Sequence, residues 1–197
     1  MKTALIVVGV FVLILVGVVV WGIGVSNQLV TSEVNVNEKW AQVQNVYQRR
    51  ADLIPNLVET VKGFAAQEKS VLEAVTQARA SAGSIKATPE LLNDPVAFKK
   101  FQDAQNQLGG ALSRLLVTVE RYPELKSNQN FLALQSQLEG TENRITVERM
   151  RFNEAVRDYN TRLRLFPASL VASIRGFKEK PFFEAATGSE QAPKVKF

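Results

Sequence analysis

From Ala4 to Val25 the chain runs without a charge and is dominated by Val, Ile and Leu. In hydrocarbon every backbone N–H and C=O must be satisfied within the protein, so a single run of this kind has one conformation open to it, a helix. About 20 residues of helix cross the ~30 Å hydrocarbon layer. A cleaved leader would have a shorter apolar region, about 7–15 residues, followed by a small-x-small site. Val25-Ser26-Asn27-Gln28 offers no such site, and Trp21 stands near the far end, where an indole suits the membrane interface. Residues 4–25 are therefore read as a retained transmembrane helix behind a short stub, residues 1–3. The glycines at 9, 17, 22 and 24 make no G-x-x-x-G pair. Lys2 precedes the run, while Ser26 to Glu38 carries no Lys or Arg. An excess of positive charge marks the cytoplasmic flank. That places the N-terminus in the cytoplasm and the following domain outside, with no cytoplasmic output domain expected.

Beyond the span, apolar residues recur at spacings of three and four in three long ladders. The first runs from Trp40, Val43, Tyr47, Arg50, Ile54, Leu57 and Val61 to Ala78. The second runs from Phe98 through Leu108 and Leu115 to Tyr122. The third runs from Phe131 through Leu138, Ile145, Phe152 and Tyr159 to Phe166. This period belongs to amphipathic helices packed along a seam. No stretch alternates at period two, so the fold class is all-α. The punctuation agrees. Ala82-Gly83-Ser84 ends the first ladder, and Asn93 or Asp94 with Pro95 can open the second. Tyr122-Pro123 stops that helix, Ser127 or Asn128 can cap the third, and Phe166-Pro167 ends it. A short apolar turn, Ala168 to Arg175, stops at Gly176. Residues 26–177 thus form one helical domain, and 178–197 an extended or flexible C-terminal tail. Its aromatic stretches, Lys180-Pro181-Phe182-Phe183-Glu184 and Pro193-Lys194-Val195-Lys196-Phe197, suit either a docking peptide or a strip packed along the domain.

Pro55 falls inside the first ladder, where an interior proline costs about 3 kcal/mol or bends the helix. Two arrangements fit. In one, the chain turns back near Ala51-Asp52, Asp52 caps a new helix, and the transmembrane helix leads into an up-and-down antiparallel four-helix bundle. In the other, one long helix kinked at Pro55 continues to about Ala82 within a three-helix bundle. Trp40, Val43 and Tyr47 would then need another subunit, as an oligomer seam.

The stretch Arg49-Arg50-Ala51-Asp52-Leu53-Ile54-Pro55-Asn56-Leu57-Val58-Glu59-Thr60-Val61-Lys62-Gly63 resembles the signature of the LemA family of bacterial membrane proteins. Further blocks agree in order. They are Tyr122-Pro123-Glu124-Leu125-Lys126, Leu138-Glu139-Gly140-Thr141-Glu142-Asn143-Arg144-Ile145, Arg151-Phe152-Asn153 with Val156-Arg157-Asp158-Tyr159-Asn160, and Phe166-Pro167. The similarity extends from Asn27 to about Glu184, departing where Phe152 replaces a frequent Tyr. The resemblance implies an N-terminal anchor and an antiparallel helical bundle, which favours the four-helix arrangement. It also implies a family without an established biochemical activity.

The chain has no His and no Cys, which removes the commonest general base, thiolate nucleophiles, disulfides and zinc sites together. Bundle di-metal sites need Glu-x-x-His, so Glu142 with Glu148 would make a rare all-carboxylate centre. There is no G-x-S-x-G and no phosphate-binding glycine loop. No enzyme activity, cofactor or metal is expected. With 24 basic and 19 acidic side chains interleaved, net +5, no nucleic-acid-binding face is expected either. Arg49, Arg50, Asp52, Pro55, Asn56 and Glu59, with Thr141, Glu142, Arg144 and Glu148 on the third ladder and Asn160 in the last block, form the candidate polar network or docking site. Arg50, Thr141 and Glu148 fall on seams, where a charge must be paired. The expected function is a non-catalytic scaffold in the cytoplasmic (inner) membrane of a bacterium, its domain periplasmic. The expected partners are the lipid bilayer, a second copy of the chain, or another membrane or envelope protein. The alternative is an extracytoplasmic sensory or ligand-binding bundle acting through a membrane partner.

Overall fold

The computed structural model describes residues 2–185; Met1 of the stub and the tail beyond Ala185, with its Pro193–Phe197 stretch, lie outside the described residues. The chain folds as six α-helices, with no strand among the described residues. α1 spans Lys2–Phe64, α2 Lys69–Ser84, α3 Pro95–Val119, α4 Pro123–Lys126, α5 Gln129–Arg164 and α6 Ala168–Arg175, with a 3-10 turn at Pro89–Asn93.

α1 carries the apolar run and the first ladder in one unbroken helix. From Leu5 to Trp21 its side chains are exposed, and Ser26 is the first buried residue. From there the inward positions step by three and four without a fault: Ser26, Leu29, Glu33, Val36, Trp40, Val43, Tyr47, Arg50, Ile54, Leu57 and Val61. The seam thus begins two heptads before Trp40, hidden in the sequence by the polar Ser26 and Glu33.

The helix passes through Pro55 and turns back only at Ala65–Glu68. This overturns both readings of that proline. The chain does not reverse near Ala51-Asp52, so Asp52 is no cap; it accepts a hydrogen bond from Gln48 Nε2 at 2.7 Å on the exposed face. Nor does the first helix continue to Ala82. What makes Pro55 tolerable is visible on the neighbouring helix. A proline cannot donate to the carbonyl four residues earlier. That carbonyl, Ala51 O, accepts instead from Nε of Arg79 on α2, at 2.9 Å. The missing donor is supplied from outside the helix, and the same bond ties α2 to α1.

Neighbouring helices run antiparallel. Trp40 meets Phe152 at a ring separation of 5.5 Å and Arg50 meets Glu142, so α5 descends as α1 rises. Glu68, just before α2, accepts from Arg121 at 2.9 Å and Tyr122 at 2.8 Å, just after α3. The Tyr122 phenol is held above its ordinary value chiefly by that hydrogen bond to Glu68. Asp94 caps α3 through the amides of Val96 and Ala97, and Asn128 caps α5 through Phe131.

Only α1 and α5 are long; α2 has 16 residues and α3 has 25. Far from the apolar run, α1, α2, α3 and α5 surround a core of Ile54, Leu57, Val61, Leu72, Val75, Leu108, Leu115, Phe131 and Leu138. Closer to it, α2 has ended and the core turns aromatic: Trp40, Phe98, Phe101, Phe152, Tyr159 and Phe183. Trp40, Val43 and Tyr47 are inside this second core, at 0%, 0% and 7% exposure. They therefore do not present an oligomer seam. Phe98 and Phe101 of α3 and Phe152 of α5 cover them within the chain.

Substituting Arg79→Leu removes the donor and should cost about 1–3 kcal/mol of stability by urea titration in detergent. In a Pro55→Ala background, which restores the helical N–H, the same change should cost much less. Equal costs in the two backgrounds would reject the substitute-donor account.

Candidate functional site

The candidate polar residues separate into three groups. Arg50 is buried at 3% exposure and fully engaged on one side. Its Nη1 donates to Glu142 Oε1 at 3.1 Å and its Nη2 donates to Gln105 O at 3.3 Å and to Gln105 Oε1. Its plane lies 5.1 Å from the Tyr47 ring centroid, and burial pushes the Tyr47 phenol above its ordinary value. Its Nε, like Glu148 Oε2 on α5, is buried without a hydrogen-bond partner among the described residues. This cluster joins α1, α3 and α5 at one level. Gly109 lies next to it on α3, and an added Cβ there would stand 4.0 Å from Nη1, an ordinary contact, so the guanidinium does not require the glycine.

A second group is exposed and takes no part in the cluster: Arg49, Asp52, Pro55, Asn56, Glu59 and Arg144. Glu59 pairs with Lys62 at 3.5 Å. Asn56 and Glu59 line a shallow groove with Thr60, Asn130, Leu134 and Gln137, where α1 faces α5 far from the apolar run. Thr141 is buried but satisfied locally, donating to Gln137 O at 2.7 Å. Glu148 accepts from Arg151 Nη1 at 2.7 Å, and Glu142 is held by Arg50. The two carboxylates that might have shared a metal are therefore each committed to a different arginine.

The third group centres on Asn160 and is the most elaborate polar arrangement in the molecule. Residues 178–184 lie against α5, running opposite to it. Asn160 Nδ2 donates to Lys180 O at 2.9 Å and its Oδ1 accepts from Lys180 N at 3.0 Å. Asn153 does the same for Phe183, at 2.9 Å in both directions. From α3, Gln102 donates to Glu184 O at 2.7 Å and accepts from Glu184 N at 3.3 Å. Three side-chain amides thus read the strap's backbone as a neighbouring strand would. Asn153 and Asn160 are two helical turns apart, about 10.5 Å, and the strap covers that distance in three residues, about 3.5 Å each, a fully extended chain.

Two strap side chains enter the domain. Phe183, 6% exposed, lies 4.9 Å from Phe98, 5.5 Å from Phe152 and 6.1 Å from Trp40 between ring centroids, with Arg149 over its outer face at 4.5 Å. Lys180, equally buried, donates to Glu33 Oε1 and Asn93 Oδ1, both at 2.7 Å, above the Tyr159 ring. Tyr159 Oη donates to Lys178 O at 3.1 Å; burial raises its phenol, with the Glu33 charge adding to it, so it stays a neutral donor. At the near end Arg164 clasps Glu179 through two 2.6 Å bonds, holding that carboxyl below its ordinary value.

Of the candidate polar residues only Asn160 belongs to this site; of the two readings of Lys180-Pro181-Phe182-Phe183-Glu184 the strip packed along the domain is the one observed, while nothing in the sequence points to Glu33 or Gln102. For Asn153 a signal exists. Phe152-Asn153 and Tyr159-Asn160 repeat an aromatic–Asn pair at a spacing of seven, which puts two amides in line beside two core rings.

These features define a class: a helical domain continuous with one long apolar helix, closed by its own C-terminal strap, its buried charges spent on internal pairs. The chain belongs to the LemA family, whose profile matches residues 39–197. It is similar to the magnetosome protein MamQ of Magnetospirillum gryphiswaldense, 30% identical over 173 residues, covering 80% of this chain and 64% of MamQ. Magnetosome protein MamQ 2 of Paramagnetospirillum magneticum is 29% identical with the same coverage, and protein LemA of Metamycoplasma hominis is 21% identical over 83% of this chain and 71% of its own length. The chain therefore spans somewhat under two thirds of the MamQ proteins it matches.

The isosteric change Asn160→Leu strips both partners from the Lys180 backbone. Hydrogen exchange at the Lys180 amide should then quicken by the equivalent of about 1–3 kcal/mol, with little change at Leu108 in the far core. Unchanged protection at Lys180 would show that the amide clamp does not hold the strap. In the Arg50 cluster, Glu142→Ala leaves a buried guanidinium with Gln105 alone. Adding Arg50→Met to that variant should recover about 1–2 kcal/mol in denaturant melts; a further loss would mean the charge itself stabilises the fold.

Proposed function

We propose that this chain is a non-catalytic scaffold of the bacterial envelope, anchored in the cytoplasmic membrane by the apolar part of α1, with its helical domain on the outer side. The observation that carries the reading is the unbroken course of α1 from the apolar run to Phe64. No flexible joint separates anchor from domain, so the domain's far end is presented at a fixed height. From Ser26 to Phe64 that is about 58 Å at 1.5 Å per residue. An enzyme tethered near a membrane gains nothing from such a rod, whereas a docking element does. The ionisable groups inside the domain support the same reading, since Arg50 pairs with Glu142 and Lys180 with Glu33.

The docking surface is the distal groove between α1 and α5, where Asn56, Glu59, Thr60, Asn130, Leu134 and Gln137 are left to the outside. A second copy of this chain or another envelope protein occupies it. Self-association through Trp40, Val43 and Tyr47 is no part of this proposal, because those residues are core. A photoreactive amino acid at Asn56 or Gln137 should give a discrete adduct in native membranes, while one at Lys86 on another exposed segment gives none. Adducts from neither groove position would reject the docking surface, and loss of the domain to protease in intact cells stripped of outer membrane tests its sidedness.

One observation favours the sensory alternative. A cleft of about 460 Å³ opens between α1, α2 and α3, lined among others by Gln44, Tyr47, Gln48, Arg79 and Gln105. Its size suits a small polar ligand, and it touches both the Arg50 cluster and the bond that compensates Pro55.

A further inference from the structure

At the end of the domain nearest the apolar run, four large apolar side chains are uncovered: Leu165 at 58%, Phe166 at 79%, Leu170 at 57% and Ile174 at 85% exposure. Leu170 and Ile174 lie one helical turn apart on the same face of α6, and Leu165 and Phe166 are uncovered in the turn just before it. The opposite side of α6 is inward, with Ala172 at 2% exposure. Gly176, at φ 74, closes the helix, and Phe177 N returns to Ala172 O at 3.0 Å. The helix is therefore fixed to the domain with its apolar stripe outward. In water such a stripe would be a liability.

Its depth is set by what it touches. Val171, Ile174 and Arg175 of α6 share a cleft with Val19, Gly22, Ile23 and Ser26 of α1. Three of those α1 residues belong to the apolar run, and Val19 lies about 9 Å before the run ends at Val25, at 1.5 Å per residue. Wherever the end of that run enters a bilayer, the second half of α6 enters beside it. The depth matches the roughly 5–10 Å shell in which interfacial helices lie. The charge pattern fits the same place. Arg175 ends α6, and Arg162, Arg164 and Lys178 are exposed around it, while Glu179 is neutralised by Arg164. Long basic side chains at such a depth reach outward to lipid phosphates.

We infer that α6 is a membrane foot: Leu170 and Ile174 on its outer face, with Phe166 in the turn before it, sit in the acyl boundary of the outer face, and Arg175 and Lys178 contact lipid headgroups. The inference rests on the reading of residues 4–25 as a span, and adds a second point of attachment beside it. One helix fixes a domain's height but leaves it free to rotate and tilt. Two attachments about a helix diameter apart remove that freedom and set which face of the domain looks along the membrane.

The chain lacks cysteine, so single nitroxide labels report unambiguously. The full-length protein is placed at one copy per lipid nanodisc of phosphatidylethanolamine and phosphatidylglycerol, labelled at Ile174→Cys, Leu13→Cys or Ser81→Cys. Collisions with a water-soluble nickel chelate should be lost at Ile174→Cys, as at Leu13→Cys, and retained at Ser81→Cys. A nickel-accessible Ile174→Cys beside a protected Leu13→Cys overturns the foot and leaves the span standing. Accessibility at Leu13→Cys overturns the span, and the foot with it. Protection of Ile174→Cys found only in discs holding two copies assigns the stripe to a second subunit and also overturns the inference.

Discussion

Trp40 is the point where the chain's separate parts are made to agree. Its indole is fully buried, with Phe98, Phe101 and Phe152 around it at 5.5–5.8 Å between ring centroids and Phe183 at 6.1 Å. Its Nε1 donates to Ala87 O at 3.2 Å, satisfying the one polar group that burial would otherwise strand. α1, the loop after α2, α3, α5 and the strap all meet at this one side chain. The consequence is a domain whose half nearest the apolar run depends on long-range contacts between residues far apart in sequence, while its distal half is an ordinary aliphatic packing of neighbouring helices. It also explains why a helix pair as long as α1 and α5 can share a core with the much shorter α2. Where α2 ends, the strap and the 85–94 segment take its place against the same rings.

The strap does this with unusual chemistry for an all-helical protein. An extended segment has its backbone donors and acceptors unpaired, and a helix surface offers no backbone partners in return. Placing it against α5 would leave buried N–H and C=O groups stranded at a cost of about 1–3 kcal/mol each. Asn153, Asn160 and Gln102 remove that cost, because a carboxamide carries one donor and one acceptor side by side, in the geometry of a peptide. Lys180 is handled similarly, with Glu33 opposing its charge and Asn93 taking another proton. The strap is therefore an integral side of the domain, and the polar residues beneath it are there to make its backbone acceptable.

The sequence shows the helical elements plainly, and hides the points where a polar residue plays a structural part. The ladders of Phe98–Tyr122 and Phe131–Phe166, the caps at Asp94 and Asn128 and the stops at Pro123 and Pro167 all follow from local rules, and local rules suffice for them. The tolerance of Pro55 cannot be read locally, because it rests on Arg79, twenty-four residues away and on another helix. Periodicity carries no information about such a partner. The early seam was shortened because Ser26 and Glu33 occupy inward positions as polar residues, and Glu33 is only intelligible once Lys180 is known to sit against it. The candidate network failed as a unit for a related reason. Proximity in sequence gathered Arg49, Arg50, Asp52, Asn56 and Glu59, but successive residues on a helix point in different directions. Arg50 alone turns inward, and the others are left to solvent.

The distribution of polar residues bears on how a domain like this could act. Within the described residues the buried charges are spent on holding elements together: Arg50 on α3 and α5, Lys180 on α1 and the 3-10 turn. What remains unspent is on the outside, at the two ends of a rigid rod: a polar groove at the far end and an apolar stripe with a basic rim at the near end. Those ends are coupled only through α1 and α5, which run between them without a joint. Such a body holds its two ends at a fixed separation and orientation, so whatever meets the near end is kept in register with whatever meets the far one.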